Sequence, residues 1–299
     1  MPPFQAPYLA LNAFVAPARP KPELWRTLCG LLIAALFGFL AVQAILLSLV
    51  ATLGPAGART ALYEMATGGS AKGVIALLFC YLAVTAGLAL GLALMMRRGL
   101  PSLIGPPGPA LGSFLWVALP LTGLWLLLMP LSAMSGSVTA HLSVWQQLPW
   151  LPLALLGLVV QTGTEELIFR GYLQQQLAAR FKSRWVWMVL PSILFGMMHY
   201  SSQQYGAAAL LVVAWSTLFG LAAADLTART GNLGAAVGLH FANNASAVLM
   251  VGIKGNLGGL ALYNVTVDPA DLAGALTYLA IDTLALLIGW VSARLILRV

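Results

Sequence analysis

The amino-acid sequence predicts an all-α, polytopic membrane bundle of about eight transmembrane helices, on three observations. Of 299 residues, 60% are hydrophobic and only 8% charged, against about 25% charged in ordinary soluble domains. Eight apolar runs approach the ~20 residues needed to cross ~30 Å of hydrocarbon at 1.5 Å per residue. The basic residues between these runs gather on alternate sides, as the positive-inside rule requires.

The chain opens with a proline-rich lead, residues 1–24, whose prolines exclude one continuous helix. It is expected to lie in the cytoplasm or on the membrane surface. No small-residue cleavage pattern follows it, so the first apolar run, 29–52, is expected to insert and remain. Spans at 74–96 and 111–133 come next, joined by a stiff loop containing "GPPGP" at 105–109. The fourth span, 149–171, carries charges and the fifth, 186–200, is short, so both depend on neighbouring helices for stability in lipid. Spans at 207–225, 232–251 and 275–297 complete the set, with the longest loop over 251–274 before the last. Residues 1–299 read as a single membrane domain, with its polar motifs on the helices of 150–250.

The formal charge of +7 does not point to nucleic acid, because the cations follow the membrane. With the N-terminus inside, one side collects Arg19, Lys21, Arg26, Arg97, Arg98, Arg180, Lys182, Arg184, Arg229, Arg294 and Arg298. The other holds Arg59, Lys72 and Lys254. This 11 to 3 split requires all eight segments to span and puts both termini in the cytoplasm. Cys29 and Cys80, the only cysteines, read as small core hydrophobes without a disulfide framework or a thiolate zinc site.

An ionisable group in a lipid-embedded helix costs roughly 2.5–3.5 kcal/mol on insertion scales, so it marks function by default. Residues four apart on a helix differ by only ~40° in azimuth. Glu166 therefore sits one turn before Arg170, in the favoured order for a self-neutralising pair. Glu165 points elsewhere, with no local counter-ion and a like charge beside it, which suits a general base. Phe195 lies one turn before His199 and can pack beneath its imidazole. Taken alone, His199 could equally be a helix-end histidine in water. His240 and Asn244 share one face and offer hydrogen bonds toward a common point, while Asn243 lies off that stripe. Gly234 and Gly238 form a small-xxx-small pair that lets a neighbouring helix approach. The structural alternative for each group is a polar network that only holds helices together.

Taken together and in this order, Glu165-Glu166-Leu167-Ile168-Phe169-Arg170, Phe195-Gly196-Met197-Met198-His199 and His240-Phe241-Ala242-Asn243-Asn244 resemble the CPBP family. These are the CAAX prenyl endopeptidases and bacteriocin-processing enzymes, also called the Abi family, which include the Ras-converting endopeptidase. The resemblance implies an intramembrane glutamate-dependent endopeptidase in which Glu165, with His199, activates a water. His240 and Asn244 would stabilise the oxyanion, and Glu166, Arg170 and Phe195 would support the site. It further implies a peptide or membrane-anchored protein substrate, met within membrane lipid. The expected setting is a bacterial inner membrane.

No cofactor is expected. The minority option is zinc held by Glu165, His199 and His240, although the sequence lacks His-Glu-x-x-His. Other intramembrane protease classes fit less well. Asp225 and Asp282 lack a Gly-x-Gly-Asp setting, and Ser135, Gly136 and Ser137 near His141 fall in an expected outer loop. Asp282 is expected to hydrogen-bond within the bundle. A proton-coupled transporter and a catalytically silent scaffold remain open as alternatives, the first disfavoured by the lack of internal repeats.

Depth poses a difficulty for convergence of the three motifs. Counted along the expected helices, Glu165 lies a few residues from the cytoplasmic end of its span, whereas His199 lies ~22 Å from Arg184. The fifth helix would have to tilt or start well before the bilayer.

Overall fold

A computed structural model describes residues 4–134, 138–254, 256–266 and 271–299; Ser135, Gly136 and Ser137 and part of the 251–274 loop lie outside them. The fold is an all-α polytopic bundle, and the chain is an integral membrane protein. Its helices are α1 (Leu24–Thr67), α2 (Ala71–Met96), α3 (Pro107–Met134) and α4 (Val144–Arg180). After these come α5 (Trp185–Met197), α6 (Ser202–Thr230), α7 (Gly234–Ala245, continued by a π-helical turn over Ser246–Met250) and α8 (Leu272–Leu297).

Six of these helices are long and apolar enough to cross a membrane: α1, α2, α3, α4, α6 and α8. The other two segments expected to span, α5 and α7, are shorter than the ~20 residues a crossing needs and are flanked by other helices. One predicted boundary differs for a local reason. α1 does not stop near residue 52 but breaks at Gly54, whose φ of 70° only glycine adopts freely, and runs on past Pro55 to Thr67.

Small residues set the closest approaches. A Cβ on Gly91 would overlap the carbonyl oxygen of Gly30, which packs α2 on α1. Gly234 and Gly238 play the expected part for α7 against α3: a Cβ on Gly234 would overlap the Ala110 carbonyl, and one on Gly238 would come 2.9 Å from the Phe114 carbonyl oxygen. α5 reaches α6 in the same way, with Gly220 against Ser192.

The proline-rich lead is not loose on the surface. Its short helix Leu11–Val15 buries Leu11, Phe14 and Val15, and with Phe4 and Tyr8 these join Trp187, Met188 and Leu177 in one apolar cluster. The Tyr8 hydroxyl donates to Asp225 Oδ1 at 2.9 Å. The same carboxylate accepts from Arg229 Nε and, at 3.0 Å, from Trp290 Nε1, so Asp225 fastens the lead to α6 and α8.

The segment before α8 contributes two strands to a small sheet, in strand order β1 (Thr139–Ala140, before α4), β3 (Tyr263–Val265), β2 (Val251–Ile253). β1 pairs antiparallel and β2 parallel with β3. Asp282 departs from expectation: it lies on the exposed face of α8 and no described residue hydrogen-bonds to it.

Candidate active site

The site begins with where α4 ends. The sequence suggested residue 171, but the helix continues to Arg180, fifteen residues past Glu165, or ~22 Å at 1.5 Å per residue. The longer α4 thus removes most of the difference in depth counted from the sequence between Glu165 and His199. The extension is polar, and each buried amide nitrogen finds a partner. Gln174 Nε2 donates to the Ala224 carbonyl at 3.0 Å, and Gln175 Nε2 to those of Phe14 and Ser102 at 2.6 and 2.9 Å.

α4 is α-helical through Glu166 and π-helical over Leu167–Gln174. Such a widened turn is rare and commonly found at functional sites. The Glu166–Arg170 pair survives it, with Arg170 Nη1 donating to Glu166 Oε1 at 2.8 Å. Both side chains are buried, at 0% and 1% exposure. Arg170 Nη2 also donates to the Gly220 carbonyl at 3.2 Å, and its guanidinium lies 4.6 Å from the Phe195 ring centroid.

Glu166 also reaches the third motif. Its Oε1 also meets His240 Nδ1 at 2.8 Å. A carboxylate only accepts, so Nδ1 carries the proton and Nε2 is left facing the site. Across from it stands Glu165 Oε2, 3.6 Å away. That oxygen is buried and has no hydrogen-bond partner among the described residues.

The other oxygen of Glu165 is held by Gln161, which lies outside the three motifs. Gln161 Nε2 donates to Glu165 Oε1 at 2.7 Å, and Gln161 Oε1 accepts from Asn244 Nδ2 at 2.9 Å. The carboxamide of Gln161 thus ties α4 to α7. The i, i+4 rule could have found it, because it sits one turn before Glu165 on the same face. Tyr81 of α2 lies beside Glu165 and Gln161, and no sequence signal marked it. Asn243 had been set apart as off the stripe, yet its Nδ2 donates to Asn244 Oδ1 at 3.1 Å. It lines the same cavity, because that cavity is broad enough to meet two adjacent positions of α7.

His199 sits just beyond the last turn of α5. Its Nδ1 lies 2.9 Å from the Phe195 carbonyl oxygen, which can only accept, so Nε2 is again the free nitrogen. Phe195 is the hub of the aromatic packing, 4.7 Å between centroids from His199, 5.9 Å from His240 and 5.1 Å from Phe169. His199, His240, Asn243 and Asn244 line a cavity of about 50 Å³, walled by Phe195, Phe219 and Trp215. That exceeds the ~10–15 Å³ a water needs. His199 makes no direct contact with Glu165; the cavity is what it shares with His240 and Asn244.

Each imidazole is oriented through Nδ1 by an oxygen, which is how metal-ligating histidines are usually held. The donors nevertheless do not converge: among the described residues no three His, Cys, Asp or Glu side chains gather as a metal shell. The arrangement as it stands is one of hydrogen-bonding and proton-accepting groups.

These features define a membrane protein with an acid–histidine–amide site enclosed by α2, α4, α5, α6 and α7. Residues 145–246, which carry all three motifs, match the family model described as "Type II CAAX prenyl endopeptidase Rce1-like", and over that segment the resemblance read from the motifs is borne out. The uncharacterized protein YyaK of Bacillus subtilis (strain 168) is 32% identical over 120 residues, covering 39% of this chain and 40% of that protein. The chain thus spans less than half the length of this curated relative. No solved structure matches.

Proposed function

We propose that the protein is an intramembrane endopeptidase of the CAAX prenyl protease or bacteriocin-processing type, which hydrolyses a peptide bond with an activated water. The observation that carries this reading is Glu165 Oε2, buried and unpartnered, 3.6 Å from the free nitrogen of His240 within the matched segment. That separation is beyond direct hydrogen-bond distance, and the cavity beside His240 is large enough to hold a water.

In this reading the water gives a proton to Glu165 Oε2 as its oxygen bonds to the scissile carbonyl carbon. His199 Nε2, free because Nδ1 is committed to Phe195, orients the water as an acceptor. The oxyanion receives a hydrogen bond from the second N–H of the Asn244 amide. His240 donates the other from Nε2, which requires both ring nitrogens to be protonated. With that proton, Glu165, Glu166, Arg170 and His240 carry two charges of each sign, so the buried cluster is neutral as a whole. The carbon–nitrogen bond then breaks, and the proton on Glu165 passes to the leaving amine. Oxyanion donors of this kind are typically worth 10²–10³ in rate each. No metal enters any step.

In this reading both termini face the cytoplasm of a bacterial inner membrane, an orientation that rests on the 11 to 3 distribution of cations and therefore needs α5 and α7 to carry the chain across as well. The substrate is a peptide or a membrane-anchored protein. The test is to incubate the purified chain in detergent with peptides that are and are not prenylated near the C-terminus, in ¹⁸O-labelled water. New C-termini carrying the label support hydrolysis. Absence of any cleavage, together with proton flux through reconstituted vesicles, would replace the peptidase with a transporter.

A further inference from the structure

A second cavity, of about 260 Å³, opens at the end of the bundle where α1 begins and α2 ends, well away from the site around Glu165. The turn that closes the proline-rich lead forms one wall. Lys21, Arg97 and Arg98 line it, with Met96 and Gln176, and among the described residues no carboxylate does. Its volume falls just below the ~300–1,000 Å³ typical of small-molecule pockets. A headgroup fits that space; a whole lipid does not.

The cations are poorly satisfied by the protein. Arg98 Nη1 hydrogen-bonds to Gln175 Oε1, but Arg98 Nε and Nη2 are buried with no partner. Burial pushes the Arg98 guanidinium down to about 10, so it remains a cation at neutral pH. Lys21 is pushed down as well, by loss of hydration and by Arg97 and Arg26 nearby. Gln176 is buried at 1% exposure, and its Oε1 also lacks a partner. Its Nε2 is held by Met96 Sδ at 2.8 Å, and rotating the carboxamide would exchange that contact for an N–H toward the cavity. Three clustered cations, with Glu23 beside Lys21 but, among the described residues, no carboxylate in the lining itself, suit an anion that pairs with guanidinium and ammonium groups.

The level in the membrane is also informative. Trp25 is 55% exposed at the start of α1, with the Arg26 guanidinium 4.5 Å from its ring centroid. Exposed tryptophan and arginine at a helix end mark the headgroup layer. A basic pocket between helices at that depth suits an anionic headgroup.

We infer that Lys21, Arg97 and Arg98 form a binding site for a phosphate-bearing anion, at the joint between the proline-rich lead, α2 and α4. The same chemistry is offered by the headgroup of an anionic phospholipid and by free phosphate. Because Gln176 and Arg98 touch both α4 and the loop after α2, an occupant braces the polar extension that carries α4 beyond the Glu166–Arg170 pair.

The test uses the full chain in a neutral detergent and follows its melting temperature. Short-chain phosphatidylglycerol, short-chain phosphatidylcholine and inorganic phosphate are titrated separately. Phosphatidylglycerol is expected to raise the midpoint saturably and phosphatidylcholine not to. An equal response to inorganic phosphate identifies free phosphate as the source, and its absence identifies the lipid; both support the site. Lys21→Gln with Arg97→Gln removes two cations that do not hold the fold, and is expected to weaken binding about thirtyfold while leaving the anion-free midpoint unchanged. The control Arg59→Gln with Lys72→Gln removes equal charge at the far end of α1 and the start of α2, and should bind like the wild type. The proposal is overturned if neither anion shifts the wild type, or if the two double variants respond alike.

Discussion

Glu166 and Arg170 form the most deeply buried ion pair in the site, so breaking it should reveal what the site costs the fold. The contact is 2.8 Å between side chains exposed by 0% and 1%. At an effective dielectric of ~20, unit charges at that separation attract by ~6 kcal/mol, much of which offsets lost hydration. Removing one partner leaves the other charge stranded, typically at a cost of 3–5 kcal/mol. Glu166→Gln should fall in this range, and Arg170→Met likewise, since Glu166 would keep only His240 Nδ1. The double variant leaves no stranded charge and should recover at least about 2 kcal/mol relative to the sum of the singles. Equilibrium unfolding in mixed detergent micelles measures all four proteins. Single variants within about 1 kcal/mol of the wild type, or a double variant that is simply additive, would refute the account of a coupled, desolvated pair.

Other consequences are equally direct. Phe195→Ala empties the space between Phe169, His199, His240 and the Arg170 guanidinium; unfolding should show a loss of 3–5 kcal/mol, with cleavage falling further than stability explains because His199 loses its support. Gly234→Val should abolish folded protein on size-exclusion chromatography, because its side chain meets the Ala110 backbone of α3, whereas Gly112→Val, with open space at that position, should be tolerated. Gln161→Leu should leave the fold intact but lower the cleavage rate about a hundredfold, as expected when an orienting partner is lost. Cleavage should survive extensive chelation, and elemental analysis should find no stoichiometric zinc; one zinc per chain, lost together with activity, would recast His199 and His240 as ligands.

The sequence carried the fold class because lipid imposes it: a chain this apolar, with cations sorted between loops, has few other ways to satisfy its backbone. Pairings within one helix were legible for the same reason that helices are regular. Glu166 with Arg170, Phe195 with His199, and Gly234 with Gly238 all follow from three- and four-residue spacing. Contacts between helices were not legible. Nothing in the local sequence told that Glu166 reaches His240, that Gln161 links Glu165 to Asn244, or that Tyr81 comes from α2 to stand beside them. The end of α4 was misjudged because Gln174, Gln175 and Gln176 look like a solvated tail, when in fact each is buried. Asp282 was misjudged the other way, as a costly residue that ought to face inward but lies on the outer face of α8.

The central claim rests on Glu165 as the group that takes the proton from water. Glu165→Gln keeps the shape and the hydrogen-bonding length of the side chain and removes only its capacity as a base. Cleavage rates of purified wild type and Glu165→Gln on the same substrate peptide, with melting curves recorded on the same samples, test the claim most directly. The account predicts superimposable folding and a loss of at least about 10²-fold in rate, the lower bound for a positioned acid–base group. A Glu165→Gln protein that cleaves as fast as the wild type would contradict it.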